Sequence, residues 1–439
     1  MTTDSSASGR QRRRLTATVT DLERPRQKVF LVSVLSRGTS ALEAEHSLDE
    51  LALLIDTAGG DPVDSEIVRR DVIDPALFLG SGKAAELADL TRATDIDTVV
   101  FDNPLSPAQQ RNLQKLFECD VVDREAVILD IFAQHATSRI GAIQVELALL
   151  RYNLPRLRGK GTSLSQQAGG IGARRGPGET KLETDRRRIE QRITRLERDL
   201  KDFDRTRETQ SKARRRSQIP MASLVGYTNA GKSTLLNTLT GAGVLTEDRL
   251  FSTLDSTVRK YELPSGRSIL LSDTVGFVRR LPHHLVEAFR STLDQVKEAD
   301  LLLHLVDGSD PNPERQMEAV RAVLSEIDAG QLPEMIVFNK ADQADDMTLK
   351  RLGNLYPNAV IISALTGEGI NALAEALGTL LDTDRAVVRL EVPYARGDVV
   401  AAAHEEGEVV AEKHDESGTI IDVRLPRSRM KAFAEFQVS

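Results

Sequence analysis

IPMASLVGYTNAGKSTLLNTL, residues 219–239, runs an apolar strand into a glycine-bracketed turn and out into a helix. Its centre, GYTNAGKS (226–233), has the spacing G-x-x-x-x-G-K-S in the strand–loop–helix setting that binds phosphate. The glycines let backbone N–H groups close around phosphate oxygens, and the helix N-terminus adds the positive end of its dipole. Lys232 is expected to bridge β and γ phosphates, and the Ser233 hydroxyl to coordinate Mg²⁺ directly. A strand entering a helix through such a turn predicts an α/β domain with a mostly parallel sheet.

Working outward, ILLSDTVGF (269–277) is a second apolar strand ending in a carboxylate. Asp273 is placed to hold Mg²⁺ through water, and the Gly276 N–H to sense the γ-phosphate. EMIVFNKAD ends a third strand in Asn339-Lys340-Ala341-Asp342. Asp342 can accept hydrogen bonds from guanine N1 and N2, where adenine offers no such donor pair. Asn339 can donate to the guanine Hoogsteen edge, and the Lys340 stem can cover the ring. In AVIISALTGEGI, Ser363-Ala364-Leu365 follows a further strand, where a backbone N–H can reach guanine O6. Motifs of this kind are common alone. In this order they specify a guanine nucleotide.

FSTLDST (251–257) lies between the first two motifs and reads as the switch loop, with Thr253 preferred to Thr257 as the second direct Mg²⁺ ligand. The expected nucleotide-contacting set is therefore Gly226, Tyr227, Thr228, Asn229, Ala230, Gly231, Lys232, Ser233 and Thr234 from the phosphate loop. Phe251, Ser252, Thr253, Leu254 and Asp255 come from the switch. Asp273, Thr274, Val275 and Gly276 follow, and Asn339, Lys340, Asp342, Ser363, Ala364 and Leu365 line the base. Catalytic roles fall to Lys232, Thr253 and Gly276. Phe277 stands where several GTPases carry a water-orienting Gln, so the isolated protein should hydrolyse slowly. Asn229 could ligate K⁺ through its amide oxygen or only shape the loop. His283 and His284 have no metal-ligand spacing and read as solvated helix-start residues.

The chain has 439 residues, 40% hydrophobic and 28% charged, which suggests two to four globular domains. Residues 1–26 read as a disordered basic tail, and 27–135 alternate strand and helix as a small α/β domain. Within 136–218, Ile143, Leu147, Leu150 and Leu154, then Ile189, Ile193, Leu196, Leu200 and Phe203, step by threes and fours. These are two seamed helices that should pair antiparallel, with a glycine-rich loop at 159–178. Residues 219–382 form the nucleotide domain, and 383–439 a small βαββα module of α+β class. FLGSGKAAEL around Lys83 lacks the first glycine of a phosphate loop; a tight turn before a helix is the plain reading, a second nucleotide or RNA contact the other.

The formal net charge of −8 gives no global attraction to nucleic acid. From residue 151 to 216, however, about twenty Lys and Arg face about nine Asp and Glu. Trp is absent and aromatics make up 4%, which argues against recognition dominated by base stacking. A single cysteine, Cys119, excludes an internal disulfide and fits a reducing compartment. The strongest apolar run, Leu301–Val306, is far short of a bilayer span, so a cytoplasmic protein with no stable membrane insertion is expected.

With these motifs in place, the chain resembles the HflX family of bacterial GTPases over about nine-tenths of its length. The most specific match is GKGTSLSQQAGGIGARRGPGETKLETDRRR (159–188), similar to that family's glycine-rich signature. GYTNAGKSTLLN, FSTLDSTVR, DTVGFVRRLPHHLVEAF and NKAD also agree with the family pattern, including the apolar residue after DxxG. Ala173-Arg174-Arg175 departs from it by an extra arginine. The resemblance implies GTP and GDP as ligands, binding to the 50S subunit, and splitting of stalled 70S ribosomes under stress. Lys160, Arg174 and Arg175, beside glycines that permit close approach, are the expected contacts to 23S rRNA. Off the ribosome the protein is expected to be monomeric. Two other readings stay open: a switch acting on a non-ribosomal protein partner, and an RNA-remodelling NTPase with a second nucleotide site in the N-terminal domain.

Overall fold

The computed structural model describes residues 26–35, 38, 40–157, 181–216, 219–241, 250–251, 257–274, 276–278, 289–383, 385–415, 417–426 and 429–438. The chain divides into two compact units, residues 1–197 with 249–251, and residues 198–248 with 252–439.

In the first unit, four parallel strands lie in the order β2-β1-β3-β4. β1 (Gln27–Leu35) and β3 (Thr98–Phe101) are the apolar runs that the sequence shows, buried on both faces as parallel strands are, and β4 (Asp120–Asp123) is a short edge strand with Val121 and Asp123 buried. β2 (Gly60–Arg69) is a strand that the hydrophobic pattern does not reveal. It sits at the sheet edge, where Pro62 needs no ladder partner and only Gly60 and Val68 are buried. Helices α1 (Ala41–Thr57), α2 (Ser81–Ala93), α3 (Pro107–Phe117) and α4 (Arg124–His135) connect and cover these strands. Their starts are written locally: Ser40 with Glu43 and Ser106 with Gln109 form capping boxes, and the Asp123 carboxylate caps α4. Buried Arg124 meets Asp102 at 2.8 Å and Glu50 at 3.3 Å, a charge cluster inside the domain.

Helices α5 (Arg139–Asn153) and α6 (Lys181–Arg216) carry the two seams. Ile143, Leu147 and Leu196 are buried. Glu146 forms a bidentate pair with Arg192 at 2.7 Å, and Arg151 pairs with Glu197 at 2.7 Å. In heptad terms these join g to g and e to e, the flanking positions that meet when seams run antiparallel; in parallel helices g would meet e. The expected hairpin is therefore present, and its glycine-rich loop lies outside the described residues, as does the N-terminal tail.

In the second unit, six strands lie in the order β10-β9-β8-β5-β7-β6, parallel except for the antiparallel pair β6–β7. β5 (Met221–Gly226) is central, with β8 (Leu301–Asp307) and β9 (Glu334–Asn339) on one side and β7 (Ser268–Ser272) on the other. β6 (Val258–Glu262) and β10 (Val360–Ile361) are the edges. The C-terminal segment forms a separate antiparallel sheet of β11 (Arg385–Pro393), β12 (Glu408–His414), β13 (Gly418–Pro426) and β14 (Gln437–Val438) in the order β12-β13-β11-β14, with a helix at Gly397–Glu406. Its last element departs from the expected helix: Met430–Phe436 is a 3₁₀ segment, with Phe433 buried, and it leads into a two-residue strand paired with β11. Among the described residues no helix is long and apolar enough to cross a membrane.

Candidate active site

Parallel strands place the loops after their C-terminal ends side by side. β5 and β7 are neighbours, with Ala222 level with Leu271, so the loops that begin at Gly226 and Asp273 emerge together. β9 and β10 likewise bring out Asn339 and Ser363. The strand order of the sheet, rather than any local pattern, assembles the motifs.

In the phosphate loop, Gly231 has φ +92 before helix α7 (Lys232–Thr240), and a Cβ there would run into Asn339 Nδ2. Only glycine fits. Lys232 is buried, and its Nζ donates to Tyr227 O at 2.7 Å and Gly226 O at 3.1 Å. Burial pushes its ammonium down to about 8, against the pull of the Asp273 carboxylate. Asn229 is exposed with φ +60.

Ser233 Oγ donates to Asp273 Oδ2 at 2.8 Å, both side chains buried. The other carboxylate oxygen accepts from Thr274 N–H at 2.9 Å, while Thr274 Oγ1 donates to Leu224 O at 2.6 Å. Asp273 N–H donates to Thr257 O at 2.9 Å, so Thr257 is fixed at the start of β6. Oxygen-only donors suit a hard cation that keeps water and phosphate ligands. Among the described residues no group of three or more His, Cys, Asp or Glu is placed to hold a metal ion.

At the base end, Ser363 Oγ donates to Asp342 Oδ1 at 2.5 Å. Lys340, at φ +62, pairs with Asp307 at 2.7 Å. Asn339 behaves differently from the expectation of an open donor. Its Nδ2 donates to Ala230 O at 2.8 Å and its Oδ1 accepts from Ala364 N–H at 2.9 Å, so it is a strut between the phosphate loop and the 363–365 loop. Sequence reasoning missed Asp307, although a carboxylate ending the strand beside NKAD was a readable signal.

These contacts join the phosphate loop, the DxxG motif and the NKAD motif at the ends of neighbouring strands, and the comparisons give the family. Three family models match in chain order: GTP-binding GTPase N-terminal over residues 45–133, GTP-binding GTPase middle region over 135–214, and 50S ribosome-binding GTPase over 221–340. GTPase HflX of Lacrimispora saccharolytica is 45% identical over 415 residues, covering 94% of this chain and 97% of that protein. The chain belongs to the HflX family of GTPases. GTPase HflX of Escherichia coli is 43% identical over 382 residues, covering 86% of this chain and 89% of that one. As an HflX-family member the chain is a GTP-hydrolysing enzyme.

Not every expected residue falls at the site. Phe251 belongs to the first unit, buried edge-on to Phe132 with ring centroids 4.7 Å apart, while Leu250 N–H donates to Thr57 Oγ1 at 3.4 Å. Ser252, Thr253, Leu254, Asp255 and Val275 lie outside the described residues, as do Lys160, Arg174, Arg175, His283 and His284. Leu365 is exposed. Lys83 is met by Glu66 and Glu86, each at 2.8 Å, so its charge is already countered and the turn-before-helix reading of that segment suffices. Burial pushes the Cys119 thiol up to about 11, the behaviour of an inert packed cysteine.

Proposed function

We propose that this GTPase binds the 50S ribosomal subunit and splits stalled 70S ribosomes in the cytoplasm under stress. The observation that carries the reading is the basic, glycine-rich segment 159–178 between two seamed helices, upstream of a GTP site. The match of residues 221–340 to a family described as 50S ribosome-binding GTPases supports it. Lys160, Arg174 and Arg175 contact 23S rRNA phosphates, where flanking glycines allow close approach. The protein works as a monomer away from the ribosome.

At the nucleotide, Gly226 to Thr234 cradle the phosphates, and Asp342, with Lys340, Ser363 and Ala364, reads guanine. Ser233, Thr253 and, through water, Asp273 would hold Mg²⁺, which would supply neutralisation of phosphate charge. The exposed Asn229 amide adds a K⁺ ligand.

Cosedimentation of the full chain with 30S, 50S and 70S particles, with and without a non-hydrolysable GTP analogue, tests the reading. Binding to 50S that needs the analogue, weakens with salt and is accompanied by loss of 70S is expected. Equal recovery with all particles, or none with 50S, would remove the ribosomal role.

A further inference from the structure

Phe277 follows Gly276 at the position where a water-orienting amide is found in several GTPases. Its side chain is buried among Tyr227, Leu293 and Val296. Its backbone is zipped to the phosphate loop, with Phe277 N–H donating to Gly226 O at 3.2 Å and Thr228 N–H donating to Phe277 O at 2.7 Å. The ring is thus locked into the apolar core, and a phenyl group has neither donor nor acceptor for water. Some other group must align the nucleophile.

Thr228 is the residue this zipper brings forward. A Cβ on Gly276 would lie 2.8 Å from Thr228 Cγ2, 2.9 Å from Thr228 Cα and 3.2 Å from Lys232 Nζ. The backbone expected to sense the γ-phosphate, the lysine expected to hold it and the Thr228 Cα and methyl group therefore converge on one point, with Thr228 Oγ1 on the carbon that joins the two. Thr228 is 6% exposed, and its Oγ1 is buried with no hydrogen-bond partner among the described residues. A buried hydroxyl without a partner costs free energy, and in a native protein such a group calls for a reason. Ser233 and Thr274, the neighbouring hydroxyls of the site, are both engaged by protein oxygens. Thr228 Oγ1, like Thr257 Oγ1, has no such partner among the described residues, and Thr228 lies against Gly276.

We propose that Thr228 is a catalytic residue, its hydroxyl orienting the attacking water in place of the absent amide. The assignment rests on the reading of residues 226–234 as the GTP phosphate loop. In the step, the water oxygen bonds to the γ-phosphorus as the bond from that phosphorus to the β,γ-bridging oxygen breaks. The electron pair of that bond stays with GDP, and the proton lost by water ends on the phosphate product. Thr228 Oγ1 accepts a hydrogen bond from the water and donates its own to a γ-phosphate oxygen, so it emerges unchanged. A hydroxyl can do both at once, which a methyl or a phenyl cannot.

The test uses the full chain with Thr228→Val, which keeps the branched shape, and Thr228→Ser, which keeps the hydroxyl. Single-turnover hydrolysis should slow about thirtyfold to a hundredfold in Thr228→Val and stay within about fivefold of wild type in Thr228→Ser. GDP affinity should stay within about twofold in both, while affinity for GDP with aluminium fluoride should fall in Thr228→Val by about the factor lost in rate. Hydrolysis by Thr228→Val within about threefold of wild type, or Thr228→Ser as impaired as Thr228→Val, would overturn the assignment. So would loss of GDP affinity in step with rate, which marks a loop-packing role. Lys232→Ala serves as the separate control: full GTP binding and turnover in that variant would remove the phosphate-loop reading itself, whatever Thr228 does.

Discussion

Ser233 Oγ donates to Asp273 Oδ2 at 2.8 Å, closing a 40-residue gap between the phosphate loop and the DxxG motif. Sequence distance does not pair these residues; the adjacency of β5 and β7 does. In the proposed Mg²⁺ site the same two groups would serve as ligand and outer ligand, so the hydrogen bond would pre-form that site at little cost in side-chain order.

Asp273→Ala should therefore raise the Mg²⁺ concentration for half-maximal GTP hydrolysis by about tenfold or more, the usual effect of losing an outer-shell carboxylate. GDP binding without added metal should change little. A Mg²⁺ titration of turnover checks this; an unchanged midpoint would detach Asp273 from the cation.

Lys232 supplies a pH prediction. Its ammonium is held at about 8 by burial, below the ordinary lysine value, and phosphate oxygens arriving beside it favour the charged form. Affinity for GTP should be flat below that value and fall above it, because the lysine must then be recharged on binding. Near the pKa, binding should take up about half a proton. Calorimetry in two buffers of different ionisation enthalpy measures the uptake, and Lys232→Ala should abolish it. Buffer-independent enthalpy in the wild type would contradict the assignment.

Asp342 receives the Ser363 hydroxyl on Oδ1, which fixes the carboxylate of the proposed guanine reader. Asp342→Asn turns a two-fold acceptor into a mixed donor and acceptor, so preference should move from guanine toward xanthine. A loss of about a hundredfold or more in GDP affinity is expected, since a mismatched buried polar group is left unpaired. Titration with labelled GDP and XDP reads both sides of the switch, and intact GDP affinity would take Asp342 out of the pocket.

Asn229 sits at φ +60, where glycine is at ease and other residues are strained. Asn229→Gly thus removes the amide while keeping the loop. If the amide ligates K⁺, wild type should hydrolyse faster in KCl than in NaCl at equal ionic strength, and Asn229→Gly should not. Equal wild-type rates in the two salts leave only the loop-shaping role.

How far the sequence could be read follows from what each pattern encodes. The nucleotide strands β5, β7 and β9 are apolar runs ending in chemistry, and both their existence and their expected function are visible, whereas Asp307 at the end of β8 went unread. β2 is not: Asp61, Pro62, Asp64, Ser65 and Glu66 give an edge strand the look of a loop, because an edge has one partner and wants charge against further pairing. Asn339 shows the opposite limit. Its motif was plain, yet its use as a strut to Ala230 and Ala364 depends on two loops that only the folded sheet brings together. Phe251 was assigned by its neighbours in sequence, but an aromatic side chain packs where apolar surface awaits it, and that surface includes Phe132.

The glycine-rich segment separates the GTPase engine from its proposed target. Glu146–Arg192 and Arg151–Glu197 flank the seam on which Leu147 and Leu196 are buried, and all six residues lie outside 159–178. Replacing 159–178 with a Gly/Ser linker of equal length should therefore leave the hairpin helices paired. Affinity for GTP should also persist, since the described phosphate and base groups all lie at or beyond Gly226. The replacement removes Lys160, Arg174 and Arg175 and no other cation. If each neutralises one RNA phosphate, the log–log salt slope of 50S binding should become shallower by about two to three. Ribosome-stimulated hydrolysis and 70S splitting should then fall by about tenfold or more at physiological salt. Far-UV circular dichroism confirms the helices, and sedimentation across a salt series gives the slope. A loop-replaced protein that splits 70S particles at the wild-type rate, with an unaltered slope, would show that the segment does not contact RNA.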